Sequence, residues 1–403
     1  MLNSRTGKAM VTQREDLTNH LINVAPAIPA LALMLVAIPI HYVADFGLAY
    51  QGGLEAWATG HPMRVVTWMG TPFYAMVMAL VTRTGPEFVG ARVFMAINLS
   101  LWLLLLSLVW PRLRPHVSTR WWWSTLVAAG LFAPALSTIF WLQINLLVFC
   151  LALAGFFLAG RNNRLAGVLI GVSVAIKPVL ILLPLALLLR RRSRTAGVWT
   201  IVAGAAATAA GFVFLAWRAQ DVTVLNPFAY LADFMSKSRL DIAACIVENY
   251  SPVAALCRFG LPPATPTSAV IAVIVLAVGW FLVRDVPETD EGEWEVFAAA
   301  CFLSILIGPI DWAHYGLLTG PMFLVLAYQF WRDRAPRVMW IELGAAYALA
   351  ELVWDPLSTQ LGASIPFEIF VYTAGQFSQY FLLLVWIRWR RLKSSAEPIA
   401  APA

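Results

Sequence analysis

Residues 165–192 read LAGVLIGVSVAIKPVLILLPLALLLRRR, an apolar stretch with one internal charge, Lys177, directly before Pro178. Basic residues flank the stretch at both ends, with Arg164 in front of it and Arg190 opening the group that closes it. Because basic residues mark the cytoplasmic ends of membrane helices, a single crossing would break the charge rule. Proline breaks a helix, so the pattern predicts two short helices that meet at Lys177 on the far side of the membrane.

The overall composition is typical of a membrane protein. The chain is 60% hydrophobic and 12% charged, against roughly 45–50% and about 25% in soluble domains. The net charge of +6 does not require nucleic acid as a partner, because Arg and Lys cluster at the ends of apolar segments on alternate sides. We therefore predict an all-α polytopic protein of the plasma membrane, in contact with membrane lipids.

The distribution of basic residues also predicts how the chain is organised. We expect about ten to twelve transmembrane helices in one integrated domain over residues 21–393. A cytoplasmic segment at 1–20 precedes it, and a disordered cytoplasmic tail at 394–403 follows it. Residues 46–87 are too mixed in polarity to span comfortably, so they form a first extracytoplasmic loop with interfacial helices. Residues 218–265 form a second long extracytoplasmic loop.

Polar side chains collect on the extracytoplasmic face of this predicted topology. They are Asp45, His61, Gln143, Asn145, Lys177, Glu248, Asn249, Asp311 and His314. Lys177 lies deep in apolar sequence, where a buried ammonium needs an anion, either a phosphate or a carboxylate. Structural roles stay open for the others. Gln143 and Asn145 could cap a helix or bond between helices, and Asp311 could be an N-cap. Asp45 could be a solvated loop residue.

Some kinds of site are not indicated by the sequence. It has no glycine-rich nucleotide loop and no zinc-ligand spacing, so an activated substrate would be lipid-linked and reached from within the bilayer. We predict no metal and no other cofactor. Cys150 and Cys301 lie in apolar runs and are expected to pack there. Cys245 and Cys257 share the second long loop and could form a disulfide if that side is oxidising.

A succession of motifs runs through these polar residues. In chain order they are Asp45-Phe-x-x-x-Tyr50, Gly60-His61-Pro62, Thr71-Pro-Phe73, Gln143-x-Asn145, Ile176-Lys177-Pro178, Glu248-Asn249-x-Ser251 and Gly308-Pro-Ile-Asp-Trp312-x-His314. Over about residues 20–330, this succession resembles the GT87 group of glycosyltransferases, which have the GT-C fold. The block around Lys177 is its most specific part. Two places depart from the pattern: Gly70-Thr71-Pro72-Phe73 stands where many members have Tyr-Pro-Pro, and Glu248-Asn249-Tyr-Ser251 where Gly-Asn-Gln-Ser is common.

The resemblance implies an inverting enzyme of actinobacterial cell envelopes, with a polyprenyl-phosphate-sugar donor and a glycolipid or lipoglycan acceptor. It implies that Asp45 is the catalytic base on the acceptor hydroxyl and that Lys177 holds the donor phosphate. It also implies a catalytic role for His314, which would contact the same phosphate or help to position the acceptor. The other implied substrate-binding residues are Gln143, Asn145, Glu248, Asn249, Trp312, Tyr50 and His61. The active site would face the extracytoplasmic side.

Several functions remain open at this point. We prefer transfer of mannose from polyprenyl phosphomannose, with an α-1,2 linkage. Transfer of arabinofuranose from decaprenyl phosphoarabinose is the alternative within the same class. A transporter or flippase for a lipid-linked substrate would suit the broken helix at Lys177, although no two-fold repeat is visible. A non-catalytic scaffold would leave Asp45, Lys177 and His314 unexplained.

Overall fold

The computed structural model describes residues 44–65, 70–113, 132–237, 249–258, 260, 265–308, 311, 313–352 and 365–396. Within those residues it contains fifteen α-helices and no β-strand, which confirms the prediction of an all-α protein. The helices are α1 (Ala44–Thr59), α2 (Pro72–Val81), α3 (Glu87–Leu113), α4 (Ala133–Phe140), α5 (Asn145–Leu158), α6 (Asn163–Ile176), α7 (Leu182–Leu189), α8 (Arg194–Ala219), α9 (Pro227–Lys237), α10 (Pro252–Arg258), α11 (Thr265–Val283), α12 (Asp290–Ile307), α13 (Gly320–Arg332), α14 (Arg337–Glu351) and α15 (Ile365–Ala396). Short 3-10 helices occupy Pro62–Arg64, Pro178–Leu180, Val222–Leu225 and Ala313–Thr319.

The predicted hairpin is present, with its break at Lys177. Helix α6 ends at Ile176, and Lys177 is extended, with φ of −147° and ψ of 115°. A 3-10 turn over Pro178–Leu180 then leads into α7. The hydroxyl of Thr71 donates to the carbonyl oxygen of Ala175 at 2.6 Å, which ties the last turn of α6 to the start of α2.

Close packing of α6 on α8 fixes the position of this break. Glycines on α6 let the two backbones approach: a Cβ at Gly167 would lie 2.4 Å from the Cβ of Trp199, and a Cβ at Gly171 would lie 2.5 Å from the carbonyl oxygen of Thr200. Small residues at such crossings allow membrane helices to pack closely. Lys177 at the end of α6 is therefore held by a rigid helix pair.

The region predicted as a first interfacial loop contains two packed helices, α1 and α2. A Cβ at Gly53 would lie 2.6 Å from the carbonyl oxygen of Met78, so a glycine is needed where α1 crosses α2. The side chain of Thr71 accepts a hydrogen bond from the Tyr74 backbone N–H and so caps α2. Asp45 lies in the first turn of α1.

Only part of the predicted membrane topology is reflected in helix length. Among the described residues, α8 is the one helix long and apolar enough to cross a membrane, by length and composition. Its surface is apolar and outward-facing, with Val202 and Val213 50% and 62% exposed. Helices α5 and α6 have 14 residues each, about 21 Å against a hydrocarbon core of about 30 Å. The count of ten to twelve spans stays a prediction.

Two further expectations concern the C-terminus and the cysteines. Helix α15 continues to Ala396, so the first three residues of the predicted disordered tail, 394–396, are helical instead. Cys150 and Cys301 are buried free thiols, as expected of packing residues. Cys257 is disulfide-bonded, and the remaining cysteine, Cys245, lies outside the described residues.

Candidate active site

Four of the predicted site residues form one continuous chain of hydrogen bonds. The Gln143 side-chain amide donates from Nε2 to Oδ2 of Asp45. Its Oε1 accepts from Nζ of Lys177 at 2.9 Å. Lys177 also donates to Oδ1 of Asn145 at 2.8 Å. One amide thus bridges a carboxylate and an ammonium, and its orientation is fixed because only the amide N–H donates and only its oxygen accepts.

The bridge depends on how the backbone turns between α4 and α5. Leu142 has a φ of 51°, which is uncommon for a bulky side chain and is found at strained functional sites. The next residue, Gln143, has its carbonyl oxygen held by Nδ2 of Asn98 at 3.1 Å. Asn145 then opens α5. This turn places both amides against the break at Lys177.

The segment that carries His314 closes the cluster from the other side. The His314 carbonyl oxygen accepts from Oγ1 of Thr138 and from Nδ2 of Asn145, each at 3.1 Å. Nζ of Lys177 lies 4.4 Å from the centroid of the Tyr315 ring, a cation–π distance. Within the described residues, no carboxylate forms an ion pair with Lys177. Its charge is met by two amide oxygens and an aromatic face.

Burial controls the protonation of these groups, which lie at helix ends and in connections outside the apolar helices. Burial raises the pKa of Asp45, while the Gln143 hydrogen bond and the Lys177 charge oppose the rise. Burial lowers the pKa of Lys177 to about 7, opposed by the charge of Asp45. Burial, and then the Lys177 charge, hold the pKa of His314 well below its usual range, so its imidazole is neutral at pH 7.

Asp311 is a second buried acid beside this cluster. Its backbone N–H donates to Oδ1 of Asn249 at 2.8 Å, and its Oδ2 accepts from Nε2 of Gln379 at 2.5 Å. Burial raises the pKa of Asp311 to about 8, with the Gln379 hydrogen bond opposing the rise, so burial favours the protonated acid. Asn249, predicted to bind substrate, has its side-chain oxygen engaged by Asp311 and by the backbone N–H of Ser251.

The other predicted site residues lie apart from the bridge or cannot be placed. Tyr50 is buried on α1, and its hydroxyl donates to the Gly85 carbonyl oxygen at 2.8 Å. His61 lies past the opposite end of α1 from Asp45, roughly 20 Å away at the helical rise per residue. Glu248 and Trp312 lie outside the described residues.

Some contributing residues were not predicted. Asn98 lies in the apolar helix α3, and an uncharged polar side chain in such sequence is itself a signal for an interhelical bond. Gln379 lies in α15 and offered the same signal. Tyr315 offered none, because an aromatic residue beside His314 is equally typical of a packed helix start.

Comparison with known families decides the class of this protein. The model of glycosyltransferase family 87 matches residues 68–309, more than half of the chain. The chain belongs to glycosyltransferase family 87. A search of curated proteins and a search of solved structures each found no match. Membership identifies the protein as a membrane glycosyltransferase and disfavours the transporter and scaffold hypotheses.

The family match covers only part of the hydrogen-bonded cluster. Gln143, Asn145 and Lys177 lie inside the matched range, whereas Asp45 and His314 lie outside it. The fold brings these two parts of the GT87 chain together. Among the described residues, no three His, Cys, Asp or Glu side chains come together as ligands for a metal ion.

Proposed function

We propose that this GT87 protein transfers a sugar from a polyprenyl-phosphate donor to a hydroxyl of a glycolipid or lipoglycan on the extracytoplasmic side, with inversion. We prefer mannose as the transferred sugar and an α-1,2 linkage as the bond that is formed. The observation that carries the proposal is the Asp45–Gln143–Lys177 bridge, which holds a base and a cation on either side of one amide. Single displacement of a phosphate by a hydroxyl needs these two groups.

Asp45 serves as the general base in this proposal. The acceptor oxygen attacks the anomeric carbon, and its proton passes to the Asp45 carboxylate as the new C–O bond forms. The bond between the anomeric carbon and the phosphate oxygen breaks, and polyprenyl phosphate leaves with the electron pair. A positioned base of this kind contributes about 10²- to 10⁴-fold to the rate. The raised pKa of Asp45 makes it a stronger proton acceptor than an ordinary carboxylate.

Lys177 stabilises the leaving phosphate in this proposal. Its ammonium contacts neutral amide oxygens and the Tyr315 ring, so an arriving phosphate would be the first full negative charge in direct contact with it. Charge developing on the leaving oxygen is stabilised most strongly in such a buried site. His314, neutral at pH 7, would donate a hydrogen bond from its ring N–H to the phosphate and would not add charge.

An apolar groove supports a lipid-linked donor. It starts five residues beyond Lys177 and has a volume of about 150 Å³. Its walls come from α7, α11 and α12 and include Leu182, Trp280 and Leu303, and Arg190 and Arg284 line it where α7 and α11 end. An isoprenoid chain is the kind of ligand that such a wall takes, since it offers only apolar surface.

The disulfide-bonded state of Cys257 supports the extracytoplasmic assignment. Disulfides persist in oxidising compartments and are rare in the cytosol. Cys257 lies in the second long loop, on the side of the membrane to which the charge rule also assigns Asp45 and Lys177.

A transfer assay in nanodiscs tests the proposal. Synthetic polyprenyl phosphomannose and decaprenyl phosphoarabinose would each be offered with mannoside and arabinoside acceptors. We expect transfer from the mannose donor and a loss of at least about 100-fold in Asp45→Asn. The matched control is Asp285→Asn, an exposed acid in the connection before α12, which should keep wild-type activity. Full activity in folded Asp45→Asn would refute the assignment of Asp45 as the base. Transfer from the arabinose donor alone would show that arabinofuranose, and not mannose, is the transferred sugar.

A further inference from the structure

A surface cavity of about 280 Å³ lies past the end of α1, remote from the bridge. It opens between the turn that follows α1 and the start of α9, and its polar lining comes from His61, Arg64, Thr223, Asn226, Tyr230 and Asp233. We propose that this cavity is a carbohydrate subsite that binds distal sugars of the acceptor glycan. The inference rests on the proposed function, because it requires an acceptor that carries several sugars.

The lining has the chemistry that sugar hydroxyls require. A hydroxyl both donates and accepts, and the cavity offers a carboxylate acceptor from Asp233, guanidinium donors from Arg64 and an imidazole from His61. Both signs of charge are present, which favours a neutral polar ligand over a phosphate or a cation. The Tyr230 ring is held rigidly, since its hydroxyl donates to the Gly70 carbonyl oxygen at 2.9 Å. The ring also packs against Phe212, with 5.5 Å between the ring centroids, and it lines the cavity as a fixed aromatic group that the apolar side of a sugar ring can contact.

The position of the cavity favours the acceptor over the donor. The donor carries one sugar, which must lie beside the Asp45–Gln143–Lys177 bridge for the reaction. The cavity is roughly 20 Å from Asp45, at the other end of α1, so only an extended acceptor reaches both places. The cavity wall is also connected to the bridge through the backbone. The Gly70 carbonyl oxygen accepts from Tyr230, and the next residue, Thr71, donates to the last turn of α6.

Helix α9 places the cavity at the membrane surface. Asn226, Tyr230 and Asp233 repeat at the spacing of one helical face and line the cavity. The opposite face presents Phe228 and Leu231, which are 79% and 54% exposed. α9 follows the apolar helix α8 after a short connection, 220–226, so we infer that this apolar face contacts the lipid headgroup region. A cavity on the inner face of such a helix lies where the glycan of a membrane-anchored acceptor emerges.

Acceptor-length dependence tests the subsite. Octyl oligomannosides of increasing length, from one sugar to six, would be compared as acceptors for wild type, Arg64→Ala and Asp233→Ala. We expect wild type to prefer the longer acceptors. Each variant should lower the ratio of kcat/KM for the longest to the shortest acceptor by about tenfold, the value of one hydrogen bond to a charged group. The matched controls are Arg191→Ala and Asp285→Ala. Both residues are exposed and lie outside the cavity lining, so both variants should keep the wild-type ratio.

A second readout separates this inference from the proposed function. Binding of the free hexasaccharide would be measured by calorimetry on the whole protein in nanodiscs, with equal Tm values as the check on folding. Binding that weakens in Arg64→Ala and Asp233→Ala supports the subsite even if no transfer occurs with any donor. An unchanged length ratio in both variants, or hexasaccharide binding that neither variant weakens, would overturn the inference while leaving the transferase assignment intact.

Discussion

Replacement of Gln143 by methionine tests the bridge between base and cation. Methionine keeps the length and approximate volume of the side chain but removes the N–H that reaches Asp45 and the oxygen that reaches Lys177. A hydrogen bond to a charged group contributes about 1.5–3 kcal/mol. Loss of the Asp45 bond alone should therefore lower kcat/KM at pH 7 by about 10- to 150-fold.

The pH profile should change in a defined direction as well. Gln143 lowers the pKa of Asp45, so its removal raises that pKa and moves the acid limb of kcat/KM to higher pH. Lys177, whose pKa burial lowers to about 7, loses an acceptor of its charged form, so the alkaline limb moves to lower pH. The pH range of activity should therefore narrow from both sides, and kcat/KM should stay below the wild-type value at every pH.

The assay is kcat/KM for transfer from pH 5 to 9 in nanodiscs, with Tm measured at each pH. The control is Gln51→Met, an exposed glutamine on the same helix as Asp45, which should retain the wild-type profile. A Gln143→Met protein with wild-type kcat/KM and an unchanged profile would refute the bridge as a catalytic element. A uniform loss at every pH would assign Gln143 to substrate binding instead.

Three further substitutions test the surroundings of the bridge. Lys177→Met should abolish measurable transfer and weaken direct binding of the donor, while Tm stays equal or rises because a buried ammonium is no longer desolvated. Thr71→Val should lower stability by about 1–3 kcal/mol in a denaturant titration through loss of its bond to Ala175 and of its N-cap bond from Tyr74, and Thr71→Ser should retain both. Gly171→Ala should destabilise the protein by about 1–3 kcal/mol through its contact with Thr200. The matched Gly344→Ala, whose Cβ would meet nothing within 4 Å, should stabilise α14 slightly.

The break at Lys177 could be predicted from sequence because two local rules agree there. Basic residues at both ends of one apolar stretch exclude a single crossing, and Pro178 ends a helix. Both rules use only residues of one stretch of sequence, 164–192, so no knowledge of tertiary contacts is needed to predict the break. The structure adds only why the break is rigid, through α8 and Thr71.

The connections within the site could not be predicted in this way. Asp45 and Gln143 are 98 positions apart in the sequence, and Gln143 and Lys177 are 34 apart. The predicted topology places all three on the extracytoplasmic face but does not predict which of them are hydrogen-bonded to each other. Helix α1 is a second example. Interfacial helices were expected within residues 46–87, but their lengths were not, and Gly53 lets α1 pack on α2, so the helix continues to Thr59 and places His61 far from Asp45.

The bridge also suggests why donor binding would precede proton transfer. A phosphate at Lys177 would favour the ammonium form and raise the pKa of that group. A fully charged Lys177 lowers the pKa of Asp45 across the bridge, so the base would be ionised when a donor is in place. Without the donor, burial favours the neutral forms of both groups. Coupling through Gln143 would thus make the base ready only when a leaving group is present, which limits unproductive chemistry on water.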